Sequence, residues 1–215
     1  MKEHHISIKK SARYYVQGEI SSDTRHLWIV CHGYGYLAGR FIGQLDCLKA
    51  EDTVIVCPEG LHRYYLNGMD GKVGASWMTR EDRLSDIKDY VAFMEHLYSE
   101  LMKQVDTDSV TINVLGFSQG TATVCRWLAN GKSKVNNLML WGGGIPSDLD
   151  FKSAVPIFNS LNLKLVVGSK DEFIKEDDIK EHQGFLNEHF IKFELIRYDG
   201  GHQLDSLTLL GMNLK

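Results

Sequence analysis

A three-layer α/β fold, with a mostly parallel central sheet and helices on both faces, is the class this sequence predicts. Three observations carry the prediction. Short β-rich apolar runs alternate along the whole chain with amphipathic stretches, the pattern of strands connected by helices. Several of those runs, such as Leu27-Trp28-Ile29-Val30-Cys31 and Val54-Ile55-Val56-Cys57, are apolar throughout, as strands buried on both faces must be. Finally, Gly116-Phe117-Ser118-Gln119-Gly120 falls between an apolar run and a helical one. With 215 residues, and no linker, repeat or low-complexity segment, residues 1–215 read as a single domain.

The elements follow in order. Residues 4–10 and 12–18 look like an N-terminal antiparallel hairpin entering the fold. Residues 26–31 form a central strand, 38–50 suit a helix, and 53–57 form the next strand, stopped by Pro58. Thr79 is expected to open the longest helix, with Asp82 three residues on as a capping box. Leu84, Ile87, Val91, Met94, Leu97 and Leu101 then recur at helical spacing as one apolar stripe. Val110–Leu115 is a strand, Thr121–Ala129 a helix closed by Asn130-Gly131, and Asn137–Trp141 a strand leading into Gly142-Gly143-Gly144-Ile145-Pro146. Strand 163–168, helix 177–190, strand 192–198 and a closing helix over 203–211 complete the chain.

Composition excludes several function classes. The net charge is −4 and the 24 Lys and Arg are scattered, which leaves no basic footprint for nucleic acid. No run supplies the roughly 18 apolar residues a membrane span needs. The four cysteines, at 31, 47, 57 and 125, lack C-x-x-C spacing and read as free thiols of a cytoplasmic protein. His4 and His5 are adjacent on a predicted strand, point to opposite faces and cannot readily share an ion, so no metal is expected.

The central motif makes a chemical demand. A G-x-S-x-G between strand and helix is a nucleophile elbow, which lifts the serine Oγ above the sheet edge. A serine hydroxyl needs an adjacent base, itself oriented by an acid, and in this architecture the order is Ser, Asp/Glu, His. Strand 163–168 runs into Gly168-Ser169-Lys170-Asp171, and strand 192–198 into Asp199-Gly200-Gly201-His202. Ser118, Asp171 and His202 are therefore the candidate catalytic residues, and both partners lie at strand carboxyl ends, where ligands bind in open α/β sheets. The other eight histidines precede the elbow or fall in predicted helices. An oxyanion hole needs the backbone N–H after the nucleophile, Gln119, and one from the loop after an early strand. Cys31-His32-Gly33-Tyr34-Gly35 occupies that place, with Tyr34 N–H as the second donor. His32 is expected to anchor the loop by hydrogen bonding.

The H-G-x-G loop, the G-F-S-Q-G elbow, the G-S-x-D acid loop and the G-G-H segment together resemble the small phospholipase/carboxylesterase group of α/β-hydrolases, which includes the acyl-protein thioesterases. The resemblance runs from about residue 26 to 210. It implies an α/β-hydrolase sandwich without a large cap domain, Ser118, Asp171 and His202 as the triad, Tyr34 and Gln119 as oxyanion donors, and no cofactor. Gly74-Ala75-Ser76-Trp77 is similar to the group's G-x-x-W segment, which implies that Trp77 lies near the acyl pocket. One departure is Tyr36, where the group commonly has Asp after H-G-x-G.

Pro58 to Ser76 reads as a long irregular stretch bearing Leu61, Tyr64, Tyr65, Leu66 and Met69. Such loops are commonly functional. Together with residues 143–157 it is expected to wall an apolar acyl cleft over Ser118, with Tyr64 and Tyr65 among the substrate contacts. The expected partner is a small acyl ester or thioester, with no stable membrane insertion; a homodimer is compatible with the chain. Two other readings share the motif. A peptidase or amidase would need an acidic pair for a substrate amino terminus, for which Glu59 and Asp70 are the only loop candidates. A non-catalytic hydrolase-fold binding protein commonly loses a triad member, and here all three positions are filled.

Overall fold

Nine strands and six helices are laid down by the alternation of apolar runs with amphipathic ones, and a computed structural model describes them over residues 1–212 and 214. In chain order they are β1 (Tyr14–Gln17), β2 (His26–Cys31), α1 (Ala38–Phe41) continuing into a 3-10 segment (Ile42–Leu48), β3 (Thr53–Pro58), β4 (His62–Tyr65), β5 (Val73–Ser76), α2 (Arg83–Met102), β6 (Thr111–Phe117), α3 (Gln119–Asn130), β7 (Asn137–Trp141), α4 (Phe151–Asn159), β8 (Asn162–Gly168), α5 (Glu176–Glu188), β9 (Glu194–Tyr198) and α6 (Ser206–Leu210).

Seven strands form one sheet in the order β1-β3-β2-β6-β7-β8-β9, all parallel except β1. The order reverses around β2, and ligands gather beyond the carboxyl ends of strands at such a switch point. Register brings the decisive ends together. Cys31 pairs with Gly116, Phe117 with Trp141, Trp141 with Val166, and Gly168 with Tyr198. The loops that leave these strands therefore open on one edge.

Alternation of side chains splits the core into two layers. Leu27, Ile29, Val54, Val56, Val114 and Leu138 face α2, α3, α4 and α5. Trp28, Val30, Ile55, Leu115 and Met139 face α1, the 3-10 segment and α6. On α2 the buried seam is Tyr90, Met94, Leu97 and Leu101, at spacings of four, three and four. Burying each such side chain contributes roughly 1.5–3 kcal/mol.

Four local expectations need correction. Residues 4–10 form no strand: Ile6 and Ile8 stay exposed, and the antiparallel element is β1 alone, paired with the free edge of β3 rather than folded into a hairpin. The 38–50 helix is one α turn followed by 3-10 structure. Thr79 opens no helix, because its hydroxyl bonds within its own turn at Glu81; α2 starts at Arg83, so Leu84 lies before the helix reaches the core and is exposed. Residues 58–76 are not irregular. They contain the antiparallel hairpin β4–β5, with His62 opposite Ser76 and Tyr65 opposite Val73.

Glycine positions test the packing directly. A Cβ on Gly120 would lie 2.1 Å from the carbonyl oxygen of Cys31, where α3 presses on the loop after β2. A Cβ on the exposed Gly184 of α5 would meet nothing within 4 Å. Gly120→Ala should therefore cost roughly 3 kcal/mol or more through backbone displacement. Gly184→Ala should raise stability by about 0.5–1 kcal/mol, through helix propensity and a less free unfolded chain. Urea midpoints of the two variants check both signs.

Candidate active site

The elbow is built by strain. Ser118 sits at φ 53° and ψ −117°, outside the regions open to an L-residue without cost. Holding it there costs about 1–3 kcal/mol, which the surrounding bonds offset. Its N–H donates to Trp141 O at 2.8 Å, and its carbonyl accepts from Thr121 N–H at 3.0 Å and Thr121 Oγ1 at 2.7 Å. The serine thus ends β6 and starts α3 with both backbone groups fixed.

Asp171 and His202 come together from loops that touch: a Cβ on Gly168 would lie 2.3 Å from Gly200 O. The Asp171 side chain is 1% exposed and the His202 side chain 11%. Asp171 Oδ2 and His202 Nδ1 are 2.8 Å apart. The other oxygen, Oδ1, accepts from Phe173 N–H at 2.9 Å and Ile174 N–H at 3.1 Å. A carboxylate on Nδ1 requires the proton on that nitrogen, which leaves Nε2 as the free base. The His202 ring lies 4.9 Å from those of Phe117 and Phe173, and its backbone N–H donates to Glu172 Oε2 at 3.2 Å. Phe117 is Ser118's chain neighbour, which brings His202 and Ser118 to the same corner. Among the described residues Ser118 Oγ itself makes no hydrogen bond; nucleophile–base contacts commonly tighten only when substrate binds.

The two candidate oxyanion donors stand free. Tyr34 N–H makes no backbone bond among the described residues, whereas its neighbours Gly35 and Tyr36 donate to Ala75 O and Gly33 O. Gln119 is the first residue of α3, where a helix offers its N–H no acceptor. The loops that carry them are in contact, since a Cβ on Gly33 would lie 3.2 Å from Ser118 Cβ. His32 anchors this loop. It is fully buried, Nε2 accepts from Gly60 N–H at 3.0 Å, and Nδ1 lies 2.8 Å from Gly33 O. Burial pushes its pKa down, against smaller upward pulls from Gly33 O and Glu59. A neutral ring with its proton on Nδ1 satisfies both bonds.

The three expected substrate contacts fall in different places. Trp77 has no exposed surface: its Nε1–H donates to His32 O at 2.9 Å, and its ring packs 5.2 Å from His32 and 6.2 Å from Tyr90. It supports the donor loop from inside the core instead of lining an open surface, because the sheet and α2 enclose it. Tyr64 lies with its ring 5.3 Å from Tyr34, and burial, then Tyr34, push its phenol up. Tyr65 is on the opposite side of β4 and exposed. Strand β5 braces the donor loop as an added strand would: Gly35 N–H donates to Ala75 O and Ala75 N–H to Tyr36 O. Tyr36 sets its ring edge-on to Phe41 and Phe117.

Sequence reasoning missed the side chain of Gln119. Its Nε2 donates to Met78 O at 2.9 Å and Ser76 Oγ at 3.1 Å, while Oε1 accepts from Trp77 N–H at 3.1 Å. The residue after Ser118 thereby clamps the 76–78 segment. No local pattern announces a contact across more than forty residues. Phe173, exposed against His202, was missed because that contact too joins two different loops.

Of the two amidase candidates, Glu59 does not offer a free carboxylate for an amine. Glu59 is buried and already engaged by Arg13 at 2.6 Å, by Arg63 at 3.3 Å and by Ala38 N–H at 3.2 Å. His5 lies against Glu3 and Asp82, at 2.8 and 3.5 Å, on the exposed surface. All four cysteines are free, and burial pushes the thiols of Cys31, Cys57 and Cys125 up, as befits small core hydrophobes. Among the described residues no helix is long and apolar enough to cross a membrane.

The fold has counterparts among solved structures. Acyl-protein thioesterase 2 of Zea mays superposes with a TM-score of 0.69 at 17% identity, over 93% of this chain and 95% of that one. A phospholipase/carboxylesterase from Dyadobacter fermentans gives 0.65 at 16% identity, over 95% of each chain. The Bacillus cereus carboxylesterase gives 0.61 at 13%, over 90% of this chain and 88% of that one. At these identities the likeness is one of fold: an α/β-hydrolase sandwich. No curated protein matches the chain in sequence. The family model described as Phospholipase/Carboxylesterase matches residues 17–212, which takes in the elbow, the acid loop, the histidine loop and the donor loop, and the chain therefore belongs to the phospholipase/carboxylesterase family of α/β-hydrolases.

Proposed function

We propose that this protein is a serine hydrolase that cleaves carboxylic esters or thioesters through an acyl-serine intermediate. The observation that carries the reading is the 2.8 Å contact of His202 Nδ1 with the buried Asp171, on the loop beside a serine held at positive φ. Ser118 Oγ attacks the acyl carbon while His202 Nε2 takes its proton. The tetrahedral oxyanion is received by the Gln119 and Tyr34 N–H groups. Collapse expels the alcohol or thiol, protonated by His202, and leaves Ser118 acylated. His202 then activates water, which releases the acid and restores the serine. Asp171 holds the tautomer and offsets the charge on the imidazolium.

Only neutral imidazole accepts the proton, so the rate should fall on the acid side. A rate flat from about pH 5 to 8 would argue against a histidine base. The direct test is labelling by a fluorophosphonate probe. Wild-type protein should be labelled, and Ser118→Ala or heat-denatured protein should not. A series of p-nitrophenyl esters and thioesters of increasing chain length, compared by kcat/KM, then assigns the acyl group and leaving atom.

A further inference from the structure

Three consecutive glycines after β7 each face a different partner. A Cβ on Gly142, which sits at φ +62°, would lie 2.8 Å from His202 Cε1. One on Gly143 would lie 3.0 Å from Ser118 O and 2.3 Å from Thr121 Oγ1. One on Gly144 would lie 2.4 Å from His182 Nε2. The loop is thus a thin wall with base and nucleophile against its first two residues and His182 of α5 against its third.

We propose that His182 is a positioning residue for the reaction proposed above, on which this inference rests: it holds Gly142–Ile145 in the shape that seats His202 and Ser118. Its Nε2 accepts from Ile145 N–H at 3.2 Å. Behind the loop lies a cavity of about 240 Å³ walled by Gly143, Gly144, Ile145, Leu165, Val167 and Leu195, among others. Glycine backbone next to open space has little to resist displacement. The imidazole fixes the wall's third residue, and through it the first two.

The bond depends on charge. Neutral His182 with its proton on Nδ1 offers a lone pair at Nε2; the protonated ring is a donor at both nitrogens and releases Ile145 N–H. Of the residues around the ring, Phe185 stacks on it at 6.2 Å, and the remaining cavity walls are apolar or glycine except Asp178, one turn earlier on α5. Asp178 is already occupied in accepting Lys175 N–H at 2.8 Å. Burial pushes the His182 pKa down, so the bond persists through neutral pH and is lost only in acid.

The test uses the full chain, p-nitrophenyl acetate, and the variants His182→Leu and His182→Gln, with Gln able to accept at Oε1. Loss of the bond in H182L should lower kcat about tenfold, with KM within about twofold, and H182Q should recover most of the loss. In acid, log kcat of the wild type should pass through a segment steeper than a slope of one, where protonation of His182 takes its further tenfold on top of the slope of one set by His202, and H182Q should keep a slope of one throughout. Wild-type kcat in both variants, equal loss in both, or one slope shared by wild type and H182Q would overturn the proposal. The slope comparison needs only H182Q, so it stands if H182L does not fold. Fluorophosphonate labelling is read alongside: an unlabelled wild type defeats the reaction itself, whereas a labelled wild type with unaltered variants defeats only the role of His182.

Discussion

Ser118→Ala is expected to lower kcat for p-nitrophenyl acetate by roughly five orders of magnitude while leaving the fold intact. The size follows from what is removed. Without Oγ no acyl-enzyme forms, and the remaining groups can only orient water beside two N–H donors. The fold should survive because Ser118 is held through its backbone: the bonds to Trp141 O and from Thr121 N–H use atoms that alanine also has. The strained φ of 53° is unchanged in the variant, so its urea midpoint should match the wild type to within about 0.5 kcal/mol. Ser118→Gly sharpens the test. Glycine adopts positive φ freely, so that variant should be equally inactive yet more stable by about 1 kcal/mol. Inactivity with increased stability is the signature of a residue kept in strain for chemistry. Retention of even one part in a hundred of the activity by Ser118→Ala would mean that another group attacks the ester.

Asp171→Asn should lower kcat by about four orders of magnitude, in the range that the wrong imidazole tautomer produces in this mechanism. The carboxylate serves three donors: His202 Nδ1–H on Oδ2, and Phe173 and Ile174 N–H on Oδ1. An amide has one oxygen. If that oxygen stays with the two backbone N–H groups, the amide nitrogen faces Nδ1, which must then give up its proton and become the acceptor. The proton moves to Nε2, and the base is lost. If the amide turns the other way, Nδ1–H is served, but two N–H groups of the acid loop are left facing a donor. Either arrangement disables the site, and the first is favoured by the number of bonds it keeps. The tautomer can be read independently of rate from the imidazole nitrogen shifts of His202 by NMR. A variant that keeps Nδ1–H and loses less than about tenfold in kcat would show that Asp171 does not orient the base.

Much of this site was legible because its signals are local. A strand announces itself by an apolar run, and a loop by the glycines and polar residues that end it; the bounds of β2 and β7 match those runs residue for residue. Chain order placed Asp171 and His202 after two later strands, and the parallel register of β8 with β9 then carries both loops to one corner. Elements that depend on distant partners were not legible. Residues 4–10 alternate like a strand but pair with no strand of either sheet. The 58–76 segment reads as a loop because short strands such as β4 and β5 carry little pattern, and they are stabilised by pairing with each other and with the loop at Gly35.

The sequence by itself determined the three-layer class, the Gly116–Gly120 turn that carries Ser118, and Asp171 and His202 as the candidate acid and base that follow it, because each rests on residue type and order along the chain. The tertiary structure alone decided that Trp77 is a core support, that Gln119 clamps the 76–78 segment, that His32 is neutral with its proton on Nδ1, and that His182 stands behind the glycine wall. Those facts are contacts between residues far apart in sequence. They are set by register, layer and burial, which no window of neighbouring residues contains.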